Sequence, residues 1–293
     1  MNYKEQYAAY LQRFEQDLQI VCEEYLPQSS QVSQAARYSL LAGGKRIRAI
    51  LCMASCEMLG GDVAAASRFA CAVEMLHCFS LIHDDLPCMD DDDYRRGKPS
   101  CHKAYGEAQA LLAGDALLTE AFEVIAETQA TPESRIEAVR QLSLGGGSRG
   151  MILGQELDMA FENQVPDETQ LRMIHKNKTG ALINAAVQMG LCAAPATQQD
   201  RHLLEQYAFG IGLVFQIVDD VLDITSTSEE LGKPVGSDLE NGKVTFASLY
   251  GPQKAMELAR DLNEKVCTAL EQQYGPAAEF LVELARQLVD RRN

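Results

Sequence analysis

The sequence predicts an all-α protein. Three observations carry this. Apolar residues recur at helical spacing, Ala, Leu, Glu and Gln abound while long β-branched runs are missing, and prolines divide the chain into pieces of helical length. In chain order, Tyr3, Tyr7, Tyr10, Leu11, Phe14 and Leu18 mark a first helix face. Gly43-Gly44-Lys45-Arg46-Ile47-Arg48 reads as a turn feeding a helix start. A helix ends near Asp85, where Pro87 interrupts the hydrogen-bond ladder. Residues 86–104 read as a long loop, and 136–144 return to helical spacing. Leu203, Leu204, Tyr207, Ile211, Val214, Phe215 and Val218 mark a second strong helix, followed by a second loop at 228–243. Pro27, Pro87, Pro99, Pro132, Pro166, Pro195, Pro234, Pro252 and Pro276 fall mostly at breaks. No Gly/Ser-rich linker or solenoid repeat divides the chain. One domain over 1–293 is expected, with two smaller ones as the alternative.

Lys plus Arg number 26 against 42 Asp plus Glu, a formal charge of -16. That balance argues against general nucleic-acid binding, which needs a basic face. An anionic substrate would need metal ions and a few basic side chains to invert the field locally. The nine cysteines show no CxxC pair or zinc spacing and suit reduced core thiols. The N-terminus lacks signal-peptide shape, and no apolar run reads as long enough for a bilayer. A cytoplasmic location is expected.

Two aspartate clusters stand out: 84–93, with acids at Asp84, Asp85 and Asp90 to Asp93, and 219–223, with acids at Asp219, Asp220 and Asp223. Carboxylates with no Cys or His at ligand spacing point to magnesium, which shares its shell with waters and substrate phosphates. Two such patches suggest a phosphate group clamped between them. Asp219 and Asp223 are four apart, so they share a helix face, directly after the apolar run 212–218. Like charges beside a core are costly without a cation. Asp84 and Asp90 share no face of one continuous helix, but a bulge at Leu86-Pro87 would bring Asp90 back toward Asp84. A calcium EF-hand fails, because counting from Asp90 its glycine and glutamate positions hold Arg95 and Cys101.

Basic groups are the counterpart. Lys45 and Arg48 lie three apart near a helix start, where anions are favoured. Arg95 and Arg96 follow the first carboxylates, either as neutralising charges or as phosphate ligands. His77, on an otherwise apolar helix, reads from the residues alone as a core histidine sooner than as a ligand. Gly146-Gly147-Ser148-Arg149-Gly150 matches a hydrolase elbow in letters only, since helical spacing replaces the required strand. It also misses a P-loop, because Met151 stands where lysine is needed.

Taken together, these residues resemble the trans-isoprenyl diphosphate synthases, the head-to-tail prenyltransferases. DDxxxxD at 84–90 is followed by Arg95-Arg96-Gly97, and DDxxD lies at 219–223. Further matches are 154–158 (Gly-Gln-Glu-Leu-Asp), Lys178-Thr179-Gly180, and Gly236-Ser237-Asp238 with Lys243. One departure is Ala49, where the family often has proline. The resemblance implies a single-domain helical bundle of the isoprenoid synthase type, its cavity lying between the helices that carry the two motifs. The four-residue gap and Phe79 with Ser80 before Asp84 look like bacterial farnesyl diphosphate synthases. The alternative is a geranylgeranyl or geranyl diphosphate synthase, and further off a class I terpene cyclase or a non-catalytic subunit.

The resemblance also assigns roles. Isopentenyl diphosphate would be held by Gly44, Lys45, Arg48, His77 and Arg96, and the allylic diphosphate by Arg95, Lys178, Lys233 and Lys243. Three magnesium ions, bound by Asp84, Asp90, Asp219 and Asp223, would take up charge as the allylic carbon–oxygen bond ionises. Asp85 and Asp220 would orient waters and ligands. Lys178, Thr179 and Gln216 would serve the cation, with a carbonyl opened near Gly180, and released pyrophosphate would accept the proton. Phe79 and Ser80 would set product length. A homodimer with no membrane span is expected.

Overall fold

The computed structural model describes residues 2–161, 164, 166–225 and 244–291. It is helical nearly throughout, and among the described residues the only sheet is one two-stranded hairpin. By internal contacts the chain falls into two compact units, 1–142 with 189–195 and 143–188 with 196–293.

The first unit begins with α1 (Tyr3–Tyr25), started by a reciprocal Asn2–Glu5 capping box. It buries Tyr10, Phe14 and Leu18 of the expected stripe, extends it to Val21, and leaves Tyr3, Tyr7 and Leu11 half-buried. Then follow α2 (Gln31–Leu40), α3 (Ile47–Met58) and α4 (Val63–Asp84), the last capped by Asp62. Next come strands β1 (Tyr94–Arg95) and β2 (Lys98–Pro99), then α5 (Cys101–Tyr105), α6 (Glu107–Glu127) and the greater part of α7 (Pro132–Gly146). α4 is apolar almost all round and packs on α6, α3 and α1. It corrects one sequence expectation, because by length and composition it is apolar enough to cross a membrane. Yet 78% of its most apolar window is buried inside the fold, which marks it as a core helix.

In the second unit, α8 (Met151–Ala160) and α9 (Glu168–His175) lead into a π-turn, Lys176–Gly180. The greater part of α10 (Ala181–Cys192), then α11 (Gln198–Thr225), α12 (Phe246–Tyr250), α13 (Pro252–Tyr274) and α14 (Glu279–Asp290) follow. Val214, Ile217, Val218 and Val221 of α11 pack with Leu171, Phe246, Ala255 and Ala259. Tyr207 is buried at the far end and donates its hydroxyl to the Leu281 carbonyl at 2.6 Å.

The described prolines lie at helix ends or in turns, except Pro99 in β2. The expected loop at 86–104 is shorter than foreseen, since it contains the hairpin and the start of α5. The loop expected at 228–243 lies outside the described residues. Helix precedes Ser148, so the hydrolase-elbow letters carry no strand.

Candidate active site

In the first unit the end of α4 builds an acidic turn. α4 stops at Asp84, and Pro87 prevents continuation. The chain then folds back: the Asp90 amide donates to the Asp84 carbonyl at 2.8 Å, and Met89 donates to Leu86 at 2.8 Å. Asp84 and Asp90 are thus neighbours, as the expected bulge required. Beyond them, Arg96 and Gly97 both have positive φ, 54° and 74°, the conformation of a tight two-residue hairpin turn.

That hairpin aims two arginines. Arg95 donates Nε to Asp85 Oδ1 at 3.0 Å and Nη2 to Asp92 Oδ2 at 3.0 Å. Neutralisation, one of its two expected roles, is therefore realised in this structure. Arg96 donates to the Gly43 carbonyl and lies over Gly44, where a Cβ would stand 3.0 Å from Arg96 Cζ. Gly44 has φ +135°, so both its backbone shape and the overlying guanidinium favour glycine.

Arg48 lies in the first turn of α3 and sends Nη1 to His77 Nε2 at 3.3 Å. Burial, then Arg48 and Arg96, hold the imidazole well below its usual range, so His77 is neutral at pH 7. The guanidiniums of Arg48 and Arg96 are pushed down by burial first. Arg48 Nε has no hydrogen-bond partner. Crowded cations with an unmet donor have the chemistry to receive an anion, which would relieve both costs. The structure therefore brings Gly44, Arg48, His77 and Arg96 together. Lys45 is exposed beside them, its carbonyl accepting from the Tyr7 hydroxyl at 2.5 Å.

Arg46 was missed at the sequence level. It is 4% exposed, with Nε to Glu15 at 2.8 Å and Nη1 to Glu74 at 3.4 Å. It ties α1 and α4 to the loop that presents Lys45 and Arg48. No pattern in Gly-Gly-Lys-Arg-Ile-Arg tells the inward arginine from the outward ones.

Phe79, five residues before Asp84 on α4, is buried, its ring edge-on to His83 at 4.8 Å. Ser80 donates its hydroxyl to the His77 carbonyl at 2.8 Å, so it is occupied by its own helix.

The second unit has its own polar cavity of about 220 Å³, lined by Asp158, His175, Lys178, Gln216, Asp219 and Asp220 among others. α11 supplies Gln216, Asp219 and Asp220, and the π-turn supplies Lys178. Close backbone approach makes this fit. A Cβ on Gly154 would meet Lys178 N at 2.0 Å, and one on Gly212 would meet Gly180 Cα at 3.0 Å. The wide π-turn is a local unwinding of the kind found at functional sites. It falls on the Lys178-Thr179-Gly180 stretch, where an opened carbonyl was expected. Thr179 is buried within it.

Lys178 Nζ donates to Asp158 Oδ2 at 2.5 Å, and Gln216 Nε2 to Asp219 Oδ2 at 3.4 Å. Asp220 is a positioning residue: its Oδ2 accepts the Phe246 amide at 2.9 Å and pins α12. Asp223, one turn beyond Asp219, is 2% exposed and is not among the described residues lining this cavity. His175 stacks on Phe246 and is buried. That burial pulls its pKa down to about 4, leaving a neutral ring 3.8 Å from Asp220 Oδ2. Arg291 donates Nη2 to Asp219 Oδ1 at 2.7 Å and to the Phe215 carbonyl at 2.8 Å, lying 3.9 Å over the Phe215 ring. His175 and Arg291 gave no sequence signal. Asp158 lay inside a matched motif without a role. Lys233, Lys243 and 236–238 lie outside the described residues.

The donor chemistry fits a hard cation. Asp84, Asp90 and Asp219 offer oxygen only, and Asp219 already carries a cationic partner in Arg291.

Comparison with known proteins agrees. Residues 29–279 match the polyprenyl synthetase family. Geranylgeranyl pyrophosphate synthase 9, chloroplastic, of Arabidopsis thaliana is 48% identical over 272 residues, covering 89% of this chain and 74% of that protein. A geranyltransferase from Helicobacter pylori, solved with magnesium and isoprenyl diphosphate, superimposes with TM-score 0.88 at 34% identity over 99% of both chains. An FPP/GFPP synthase from Zymomonas mobilis gives 0.85 at 36% identity, over 97% of this chain and 98% of its own. The chain therefore belongs to the polyprenyl synthetase family and is a prenyltransferase.

Proposed function

We propose that the protein condenses isopentenyl diphosphate head-to-tail with dimethylallyl and geranyl diphosphates, using magnesium. Asp84, Asp90, Asp219 and Asp223 hold the ions, three in all by resemblance, and the ions supply Lewis-acid stabilisation to the departing diphosphate. Gly44, Lys45, Arg48, His77 and Arg96 bind isopentenyl diphosphate. Arg95 and Lys178 serve the allylic diphosphate, exchanging their present carboxylate partners for phosphate oxygens. The observation that carries this reading is that one unit holds both the folded-back turn returning Asp90 to Asp84 and the crowded guanidiniums of Arg48 and Arg96, with Arg95 near enough to Asp84 and to Arg96 to feel both charges. The Helicobacter relative, solved in complex with magnesium and isoprenyl diphosphate, supports it.

For the product we propose farnesyl diphosphate, on the strength of Phe79. A buried phenyl ring about 7.5 Å below Asp84 along α4 forms a floor for the growing tail. A second reading, geranylgeranyl diphosphate, has the better support from the curated relatives, which carry that name. Incubation of the purified chain with labelled isopentenyl diphosphate, each primer and magnesium separates the two by product length. Fifteen carbons support the first reading and twenty the second. Absence of any prenyl product defeats both. A homodimer, proposed from the family resemblance, and a cytoplasmic location, proposed from nine free thiols, eight of them buried, complete the proposal.

A further inference from the structure

Asp91, Asp93 and His102 each bring one ligand atom to within 4.8 Å of the others. The histidine is the unusual member. Its side chain is 3% exposed, and its Nε2, 3.9 Å from Asp91 Oδ1, has no hydrogen-bond partner. That separation is too long for a hydrogen bond. The other ring nitrogen, Nδ1, lies 3.0 Å from the hydroxyl of Ser100, which is itself 1% exposed. A cation at Nε2 selects the tautomer with Nδ1–H donated to Ser100, which leaves the Nε2 lone pair facing the two carboxylates. A buried ring nitrogen with no hydrogen-bond partner, facing two exposed carboxylates, is suited to a cation. A ring fixed through its far nitrogen is how a metal-binding histidine is held. Lys103 Nζ now neutralises Asp93 at 2.7 Å. At 42% side-chain exposure it can swing into solvent when an ion arrives.

We propose that Asp91, Asp93 and His102 form a binding site for a divalent transition metal, distinct from the magnesium ligands Asp84 and Asp90. One imidazole with two carboxylates suits zinc and its neighbours, whereas magnesium prefers an all-oxygen shell. Water completes the coordination on the exposed side. The ion would join the two feet of the hairpin, since Asp91 and Asp93 precede β1 and His102 follows β2. That clip would hold the turn presenting Arg95 and Arg96, adding to the Ser100 N to Asp93 O bond at 2.9 Å and taking over from the Lys103–Asp93 pair.

The test is a zinc chloride titration of the full chain in excess magnesium chloride, which keeps the all-oxygen sites filled. Calorimetry and melting temperature are read for wild type, Asp91→Asn and His102→Gln. Asp91 is 60% exposed in its side chain, so its variant keeps the fold even if the buried histidine variant does not. One zinc per chain that survives excess magnesium is expected. Affinity should fall at least tenfold in Asp91→Asn, and a zinc-dependent rise in melting temperature should be present in wild type and absent from that variant. Zinc displaced entirely by magnesium, or bound equally well by Asp91→Asn, would overturn the assignment.

Discussion

Replacing Phe79 by alanine tests where the growing prenyl tail stops. Phe79 lies five residues before Asp84, and at 1.5 Å per helical residue its ring sits about 7.5 Å below the proposed diphosphate site. The side chain is buried and makes an edge-on contact with His83 at 4.8 Å. Its truncation should cost about 3 kcal/mol, the lower end for a buried phenylalanine. At the usual unfolding entropy for a chain of this length, that lowers the melting temperature by about 5 °C, so the variant stays folded at assay temperature. The assay is chromatography of products from labelled isopentenyl diphosphate with each primer. Wild type should stop at fifteen carbons and Phe79→Ala at twenty, while Phe79→Tyr, which keeps the ring, should stop at fifteen. A variant with the expected loss of stability but an unchanged product would refute the floor. A wild type that already reaches twenty carbons would do the same and leave the geranylgeranyl reading in place.

Further outcomes follow from the two polar sites. Arg48→Ala or Arg96→Ala should raise KM for isopentenyl diphosphate about tenfold or more, the worth of one charge-assisted bond, with little change in KM for the allylic primer. Equal effects on both substrates would move these arginines out of the isopentenyl site. Arg291→Gln should tighten magnesium binding in the absence of substrate, because the guanidinium at 2.7 Å competes for Asp219. Weaker binding by calorimetry would make Arg291 a support rather than a competitor. His175 stays neutral in the fold down to about pH 4, whereas the unfolded chain protonates it near 6.5. Between those values the unfolded state holds more protons, so its contribution is complete above 6.5 and declines as pH falls toward 4. From pH 7 to 5 this amounts to about 2 kcal/mol. Urea titrations of wild type should show that loss and His175→Phe should not. An equal pH dependence in both would exclude the histidine as its source.

Much of this was legible from sequence because it rests on local rules. The stripe from Tyr10 to Leu18 makes a half-buried helix, and Pro87 ends α4 wherever the rest of the chain goes. The return of Asp90 to Asp84 followed from that interruption. What could not be read depends on partners distant in sequence. Arg46 turns inward because Glu15 and Glu74 wait there. The length of α4 alone does not say that its apolar surface is covered by neighbouring helices. The π-turn at Lys176–Gly180 depends on the close packing of Gly154 and Gly212 around it. Arg291 reaches Asp219 across seventy-two residues, with no motif at its own end.

The most direct measurement is the magnesium dependence of prenyl transfer by the purified chain, wild type against Asp84→Ala. Wild type should form prenyl diphosphate only when magnesium is present. Asp84→Ala, with its circular dichroism intact, should be slower by at least about a hundredfold, the usual loss when one stabilising group is removed from a developing charge. Near-normal turnover by Asp84→Ala, or product formed in chelator, would contradict the assignment of the metal to these aspartates.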